Sequence, residues 1–193
     1  MKRIPISSFS EKENGLSYFP YRSEIEQSYI GAYKITNQTF FFGTDKYGRD
    51  MLSRMLYGIR ISLSVGFIAV FISLIIGISL GLIAGYFRGR TDDIIMWLVN
   101  VIWSIPTLLM VIAITLALGK GFWQVFVAVG LTMWVEVARI VRGQVLSIRE
   151  LEYVEAGKAL AYKPFRIIFK HILPNVIGPV IVISAANFAA AIL

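Results

Sequence analysis

The sequence predicts an all-α fold, a polytopic bundle of transmembrane helices, and three observations carry that prediction. Of the 193 residues, 56% are apolar and only 16% charged, with a mean hydropathy of +0.68, too apolar for an ordinary soluble domain. Residues 61–87 contain no charged side chain, whereas about 20 apolar residues suffice for a helix to cross the hydrocarbon layer. The lysines and arginines beyond residue 60 gather at the ends of apolar runs, as loops retained on the cytoplasmic side require. The net charge of +7 therefore reflects loop placement. No basic stripe with interleaved exposed aromatics is present, so nucleic acid is not an expected partner. The absence of cysteine excludes disulfides, thiolate metal sites and cysteine nucleophiles.

Residues 1–42 are polar and aromatic, and Pro5, Gly15 and Pro20 interrupt any regular period. They read as an extramembrane segment with no strong helix or strand signal, and residues 1–60 together as an extracytoplasmic segment. Met51, Leu52, Met55, Leu56 and Ile59 share one helical face, which predicts an amphipathic helix at the membrane surface leading into the first span. The transmembrane domain follows over residues 61–193. Its expected spans are 61–87, about 94–118, about 122–138, and one from about 176 that is still apolar at Leu193. Trp97 and Trp123 fall near span ends, where indoles either meet headgroups or pack in the bundle.

Three connections separate the spans. Residues 88–93 and about 139–174 together hold nine Lys/Arg, against the single Lys120 in the turn made by Gly119, Lys120 and Gly121. Alternation along four spans puts the two basic connections on one side, read as cytoplasmic, and residues 1–60 outside. With no signal peptide ahead of that outer segment and an apolar run at the other end, the expectation is a fragment, with a span before residue 1 and more chain after residue 193.

Several residues invite a chemical reading. Gly77, Gly81 and Gly85 make two small-xxx-small steps, which mark a helix–helix contact. Pro106 predicts a kink that either shapes the bundle or lines a pathway. Glu136, the one carboxylate inside an apparent span, is expected near the cytoplasmic end in an ion pair with Arg139. His171 has no companion ligands for metal or catalysis. The segment from Asp45 to Asp50 superficially follows a calcium loop, but Lys46, Tyr47 and Arg49 do not supply its oxygens. No G-x-x-x-x-G-K-[ST] sequence occurs, so the chain does not hold ATP through a P-loop.

The long basic connection carries the most information. Residues 150–161 predict a helix with acids early and Lys158 late, matching the dipole, and with small residues Ala156, Gly157, Ala159 and Ala161 at its centre. Pro164 suits the first turn of a second helix, which places Phe165, Ile168, Phe169 and Ile172 at helical spacing and ends at Pro174. Such a pair suits docking into a groove on another protein, or else packs on itself.

Glu155, Ala156 and Gly157, followed by Leu160, Ala161 and then Leu173-Pro174, closely resemble the EAA loop of ATP-binding-cassette (ABC) importer permeases. Gly43, Thr44, Asp45, Gly48, Arg49 and Asp50 resemble the Gly-Thr-Asp-x-x-Gly-Arg-Asp segment at the outer face in the dipeptide, oligopeptide and nickel branch of that family. The resemblance covers about residues 42–193. Two positions depart from the pattern: Gly157 stands where the second Ala is usual, and Ala161 where Gly is usual, so the helix is expected to end differently, since Ala tolerates a left-handed cap poorly.

The resemblance implies a MetI-like permease domain embedded in inner-membrane lipid, with a coupling loop at about 143–174. It implies a second permease subunit, two cytoplasmic ATPase subunits that bind the ATP, and an extracytoplasmic solute-binding protein. It further implies import of peptides without covalent chemistry by this chain; nickel or another small solute, or a non-transporting scaffold, are the alternatives.

Overall fold

The computed structural model describes residues 4–12, 15–37, 39–119 and 121–193; Lys120 lies outside them. Two compact units divide the chain, residues 1–61 and 62–193. In the first, β1 (Ile6–Lys12), β2 (Gly15–Pro20) and β3 (Gln27–Tyr29) form an antiparallel sheet in the order β1-β2-β3. The sheet is an addition to the sequence expectation. Pro5, Gly15 and Pro20 sit at strand ends, so the residues that disrupt a regular period act as punctuation. Leu16, Ser17 and Tyr18 of the central strand are buried.

Seven helices follow: α1 (Met51–Phe87), α2 (Gly89–Trp103), α3 (Thr107–Leu118), α4 (Phe122–Ile148), α5 (Glu152–Ala159), α6 (Pro164–Ile167) and α7 (Leu173–Ile192), with a π-helical stretch, Ile168–Ile172, joining the last two. The stretch expected to form a separate surface helix is continuous with the first span. α1 runs unbroken for 37 residues, roughly 55 Å at 1.5 Å per residue.

The glycines of α1 decide how the bundle packs. A Cβ added at Gly77 would lie 2.5 Å from Val137 Cβ, one at Gly81 2.7 Å from the Ala138 carbonyl oxygen, and one at Gly85 2.6 Å from Val145 Cβ. From the other side, a Cβ on Gly130 would stand 2.8 Å from Ile72 Cβ. Both helices advance in the same direction along this seam, so α1 and α4 are parallel. α7 runs the opposite way. Phe188 and Ile192 reach Gly66 near the start of the charge-free run, while Val176 and Val180 share a core with Leu82, Val141 and Val145.

Parallel α1 and α4 require the intervening residues to return across the full bundle. They do so as a broken span: α2 and α3 meet at 92°. The kink expected at Pro106 is here a full break between two helices. Pro106 has no N–H and forces Ile105 out of the helical region. The chain leaves the helix at Ser104, whose hydroxyl donates to the Asn100 carbonyl (2.8 Å). Three other helices are long and apolar enough to span: Met51–Phe87, Trp123–Ile148 and Pro164–Ile192.

α4 also corrects the third span, which was expected to stop at Ala138. It continues to Ile148 because its arginines are matched: Arg142 makes a two-pronged bond to Asp92 (2.5 and 2.6 Å), and Arg139 donates to Asn100 Oδ1 (2.9 Å) and lies 3.4 Å from the centroid of the Trp103 ring. Glu136 thus stands midway along α4, not one turn from its end, and the expected Glu136–Arg139 pair does not form among the described residues.

In lipid, helices gain little from hydrophobic burial, and association depends on dispersion between closely fitted surfaces. Gly81→Ala should therefore lower stability by about 1–3 kcal/mol through overpacking, because the atom it meets is backbone. Gly143→Ala, where nothing lies within 4 Å, should not. Thermal unfolding of the two variants in detergent checks this; equal midpoints would remove the seam.

Candidate functional site

At the end of the bundle where α1 stops and α2 begins, opposite charges lock the connections together. Arg88 turns the chain with a left-handed φ of 53° and pairs with Glu150 (2.5 Å). That hydrogen bond and the Arg88 charge hold the Glu150 carboxyl below the usual range. Arg149 Nη1 donates to the carbonyl oxygen of Tyr86 (2.6 Å). A cation thereby satisfies a helix-end acceptor and complements the dipole of α1. Asp92, buried in the first turn of α2, occupies the dipole position that favours an anion. The two basic connections expected on one side are in contact here.

On this clamp sits α5. Its inward face is Val154 and Gly157, both buried; a Cβ on Gly157 would meet Tyr162 and Ile167 at ordinary distances of 3.6 and 3.9 Å. Gly157 therefore faces the chain's own core and is not on the outer face. Glu155, Ala156 and Leu160 point outward, Leu160 with 65% of its surface exposed.

The helix closes in a Schellman arrangement: Tyr162 N–H donates to the Gly157 carbonyl (3.1 Å) and Ala161 N–H to that of Lys158 (2.9 Å). Ala161 occupies the left-handed position with φ 56°. The expectation that alanine would change the ending is thus corrected: the hydrogen bonds and the Tyr162 packing impose the left-handed cap, at a cost of about 1–2 kcal/mol.

Pro164 begins α6 as expected. The four apolar residues that follow divide: Ile168 and Ile172 are buried, whereas Phe165 and Phe169 are exposed and stack on each other at 6.3 Å. His171 stacks on Tyr162 (6.3 Å) and lies near Tyr153 (6.4 Å), an aromatic packing role. Leu173 is half-buried and Pro174 exposed.

Pro174 was expected to end the helix, but the helix passes through it. The π-helical turn before it shifts the hydrogen-bond register, with Leu173 N–H donating to Ile168 O, and Asn175 Nδ2 donates to the His171 carbonyl (2.7 Å). Proline in the first turn then leaves few acceptors unmet.

The motif from Gly43 to Asp50 is a closed turn that starts α1. Gly43 and Gly48 supply φ values of 72°, and Thr44 bridges Asp50. Asp45 accepts from the N–H groups of Tyr47 (2.8 Å) and Arg49 (3.0 Å), from Arg49 Nε (2.9 Å) and from Arg54 Nη1 (2.7 Å). Partial desolvation raises the Asp45 pKa, but the Arg49 and Tyr47 N–H groups and the Arg49 guanidinium outweigh it and hold the value at about 2. Asp50 caps α1 through the N–H groups of Leu52 and Ser53, both at 3.2 Å. With its oxygens committed to donors, Asp45 is no calcium ligand. Among the described residues no group of three or more acidic, histidine or cysteine side chains could hold a metal.

Sequence reasoning did not single out Asp92, Arg149, Trp103 or Asn187. An asparagine inside the last apolar run was the one available signal.

Comparison with known proteins agrees with this geometry. The family described as "Binding-protein-dependent transport system inner membrane component" matches residues 77–193. The oligopeptide transport system permease protein OppC of Bacillus subtilis is 41% identical over 163 residues, 84% of this chain and 53% of that protein. The dipeptide transport system permease protein DppC of the same organism is 47% identical over 152 residues, 79% of this chain and 48% of that protein. The chain thus spans about half the length of these curated relatives. In fold it is similar to a chain of the inward-facing MetNI methionine ABC transporter, with a TM-score of 0.67 at 19% identity, covering 74% of this chain and 71% of that one.

Replacing Ala161 with glycine should relieve the left-handed alanine. Ala161→Gly is expected to stabilise the protein by about 1 kcal/mol, seen as a raised unfolding midpoint. A lowered midpoint would show that the cap is not strained.

Proposed function

The chain belongs to the family of binding-protein-dependent transport system inner membrane components, and from that premise we propose that it is a permease subunit of a peptide importer. In this reading it supplies half of a pathway, alongside a second permease subunit. An extracytoplasmic solute-binding protein delivers di- or oligopeptides, and two cytoplasmic ATPase subunits bind and hydrolyse ATP. This chain carries out no covalent chemistry. The peptide assignment is supported by the relatives, which are named as oligopeptide and dipeptide permeases.

The observation that carries the coupling role is the outer face of α5, of α6 and of the π-helical stretch that continues it. Leu160, Phe165 and Phe169 are exposed by 65%, 74% and 57% on a helix pair that is itself anchored. Val154, Gly157 and Ile167 are buried beneath it, and Arg149 and Glu150 tie its root to the ends of α1 and α2. An apolar surface on a rigid mount suits transmission of force from a partner. Leu173 and Pro174 lie where the loop passes into α7, so a push on α6 is received directly by a spanning helix. The outer motif, from Gly43 to Asp50, serves in this reading to close a turn and start α1.

Leu160→Asp and Phe165→Asp each put a charge on the outer face without touching the core. Losses typical of interface anchors, about 2 kcal/mol or roughly thirtyfold in affinity, are expected for ATPase capture, together with loss of peptide uptake at an unchanged membrane level. Wild-type ATPase capture by both variants would refute the coupling surface.

A further inference from the structure

Beyond the coupling surface, the bundle contains a polar position that none of its own contacts uses. Midway along α4, Glu136 has no ion pair or hydrogen bond among the described residues. Arg139, one turn away, bonds Asn100 and lies on the face of Trp103, though its buried Nε has no hydrogen-bond partner. The Glu136 side chain is exposed on this chain, and a carboxylate on a helix long and apolar enough to span signals a functional group by default. Glu136 lines two adjoining cavities of about 220 and 250 Å³ that also share Trp103 and Val135. Arg139 lines the second of them but not the first. The first opens at the break between α2 and α3, where Pro106 has turned the chain away, and α7 closes it with Asn187. Asn187 is only 4% exposed, and its Nδ2 has no hydrogen-bond partner. An unmet buried donor of this kind is uncommon and expensive.

An unpaired anion and an unmet neutral donor on one small cavity define a ligand chemistry. The carboxylate accepts from a cation, and the amide donates to a carbonyl oxygen. A peptide amino terminus presents both, an ammonium and, one carbon further on, the first carbonyl. Val135 and Met110 supply an apolar wall for the first side chain. A peptide carboxy terminus would instead bring its charge against Glu136. We propose that Glu136 and Asn187 form a transient site for the amino terminus of the transported peptide, Glu136 binding the ammonium and Asn187 the first carbonyl. The site rests on the peptide-import reading above and assigns a pathway residue to it. Its place at the broken span, where backbone geometry departs from a plain helix, is where membrane proteins locate solute contacts.

The test uses the complete transporter, reconstituted with its partner subunits and saturating binding protein. Uptake of trialanine is compared with that of N-acetyltrialanine, which lacks the ammonium. The binding protein is common to all variants, so a change in the ratio of the two rates reports on Glu136. Glu136→Gln should cut trialanine uptake at least tenfold and leave N-acetyltrialanine uptake unchanged, while Glu136→Asp should restore most of the preference. An unaltered ratio in Glu136→Gln would overturn the site, as would equal loss of both substrates in Gln and Asp variants. If the wild-type transporter takes up neither compound, the peptide-import reading itself fails and the site falls with it.

Discussion

Close packing of α1 against α4 is the constraint from which the rest of the molecule follows. Water drives no association between these helices within lipid, so contact must come from fitted surfaces and dispersion. Gly77, Gly81 and Gly85 remove side chains along one stripe, and Val137, Val141 and Val145 fill it. The match repeats every turn on both helices in the same order, which makes them parallel. Residues between them must then recross the bundle, and the break at Pro106 lets them do so as two short helices at a steep angle. The same break leaves space beside Glu136 and Asn187, so one packing decision creates both the topology and the cavity there.

The parallel seam also brings the ends of α1 and α4 together, and there electrostatics takes over from packing. Arg142 and Asp92 pair with a side chain still partly shielded from solvent, where such bonds are stronger than at an open surface. Arg149 spans from α4 to the last carbonyls of α1. These contacts fix where α5 starts, and α5 in turn positions Leu160 and the Schellman turn that leads to Phe165. The apolar outer face is thus held by a chain of contacts that reaches back to the glycines.

Features set by local chemistry were legible in the sequence. The charge-free run of α1, the glycine stripe, the acidic start of α5 and the proline start of α6 all appear as expected, because each depends on neighbours within a few residues. What escaped depends on distant partners. Gly157 looked like part of an outer face until Val154, at i−3, showed which side is buried. Arg139 looked like the end of a span, but Asn100 and Trp103, some forty positions earlier, allow α4 to continue past it. That extension also moves Glu136 from a helix end to a helix middle. Pro174 looked like a terminator, and the π-helical turn that accommodates it leaves no mark in residue spacing. The three strands were hidden because their Pro and Gly residues lie at their ends.

The parallel seam can be measured directly, since the native sequence has no cysteine. Gly85→Cys with Val145→Cys, in a chain carrying an engineered protease site at residues 119–121, should form an intramolecular disulfide on mild oxidation, because the structure brings these positions closer than the roughly 3.8 Å Cβ separation of a disulfide. After cleavage the two fragments should stay joined until reduced, whereas Gly66→Cys with Val145→Cys should fall apart. Crosslinking of the second pair and not the first would mean that α1 and α4 are antiparallel, and the account of the bundle would be wrong.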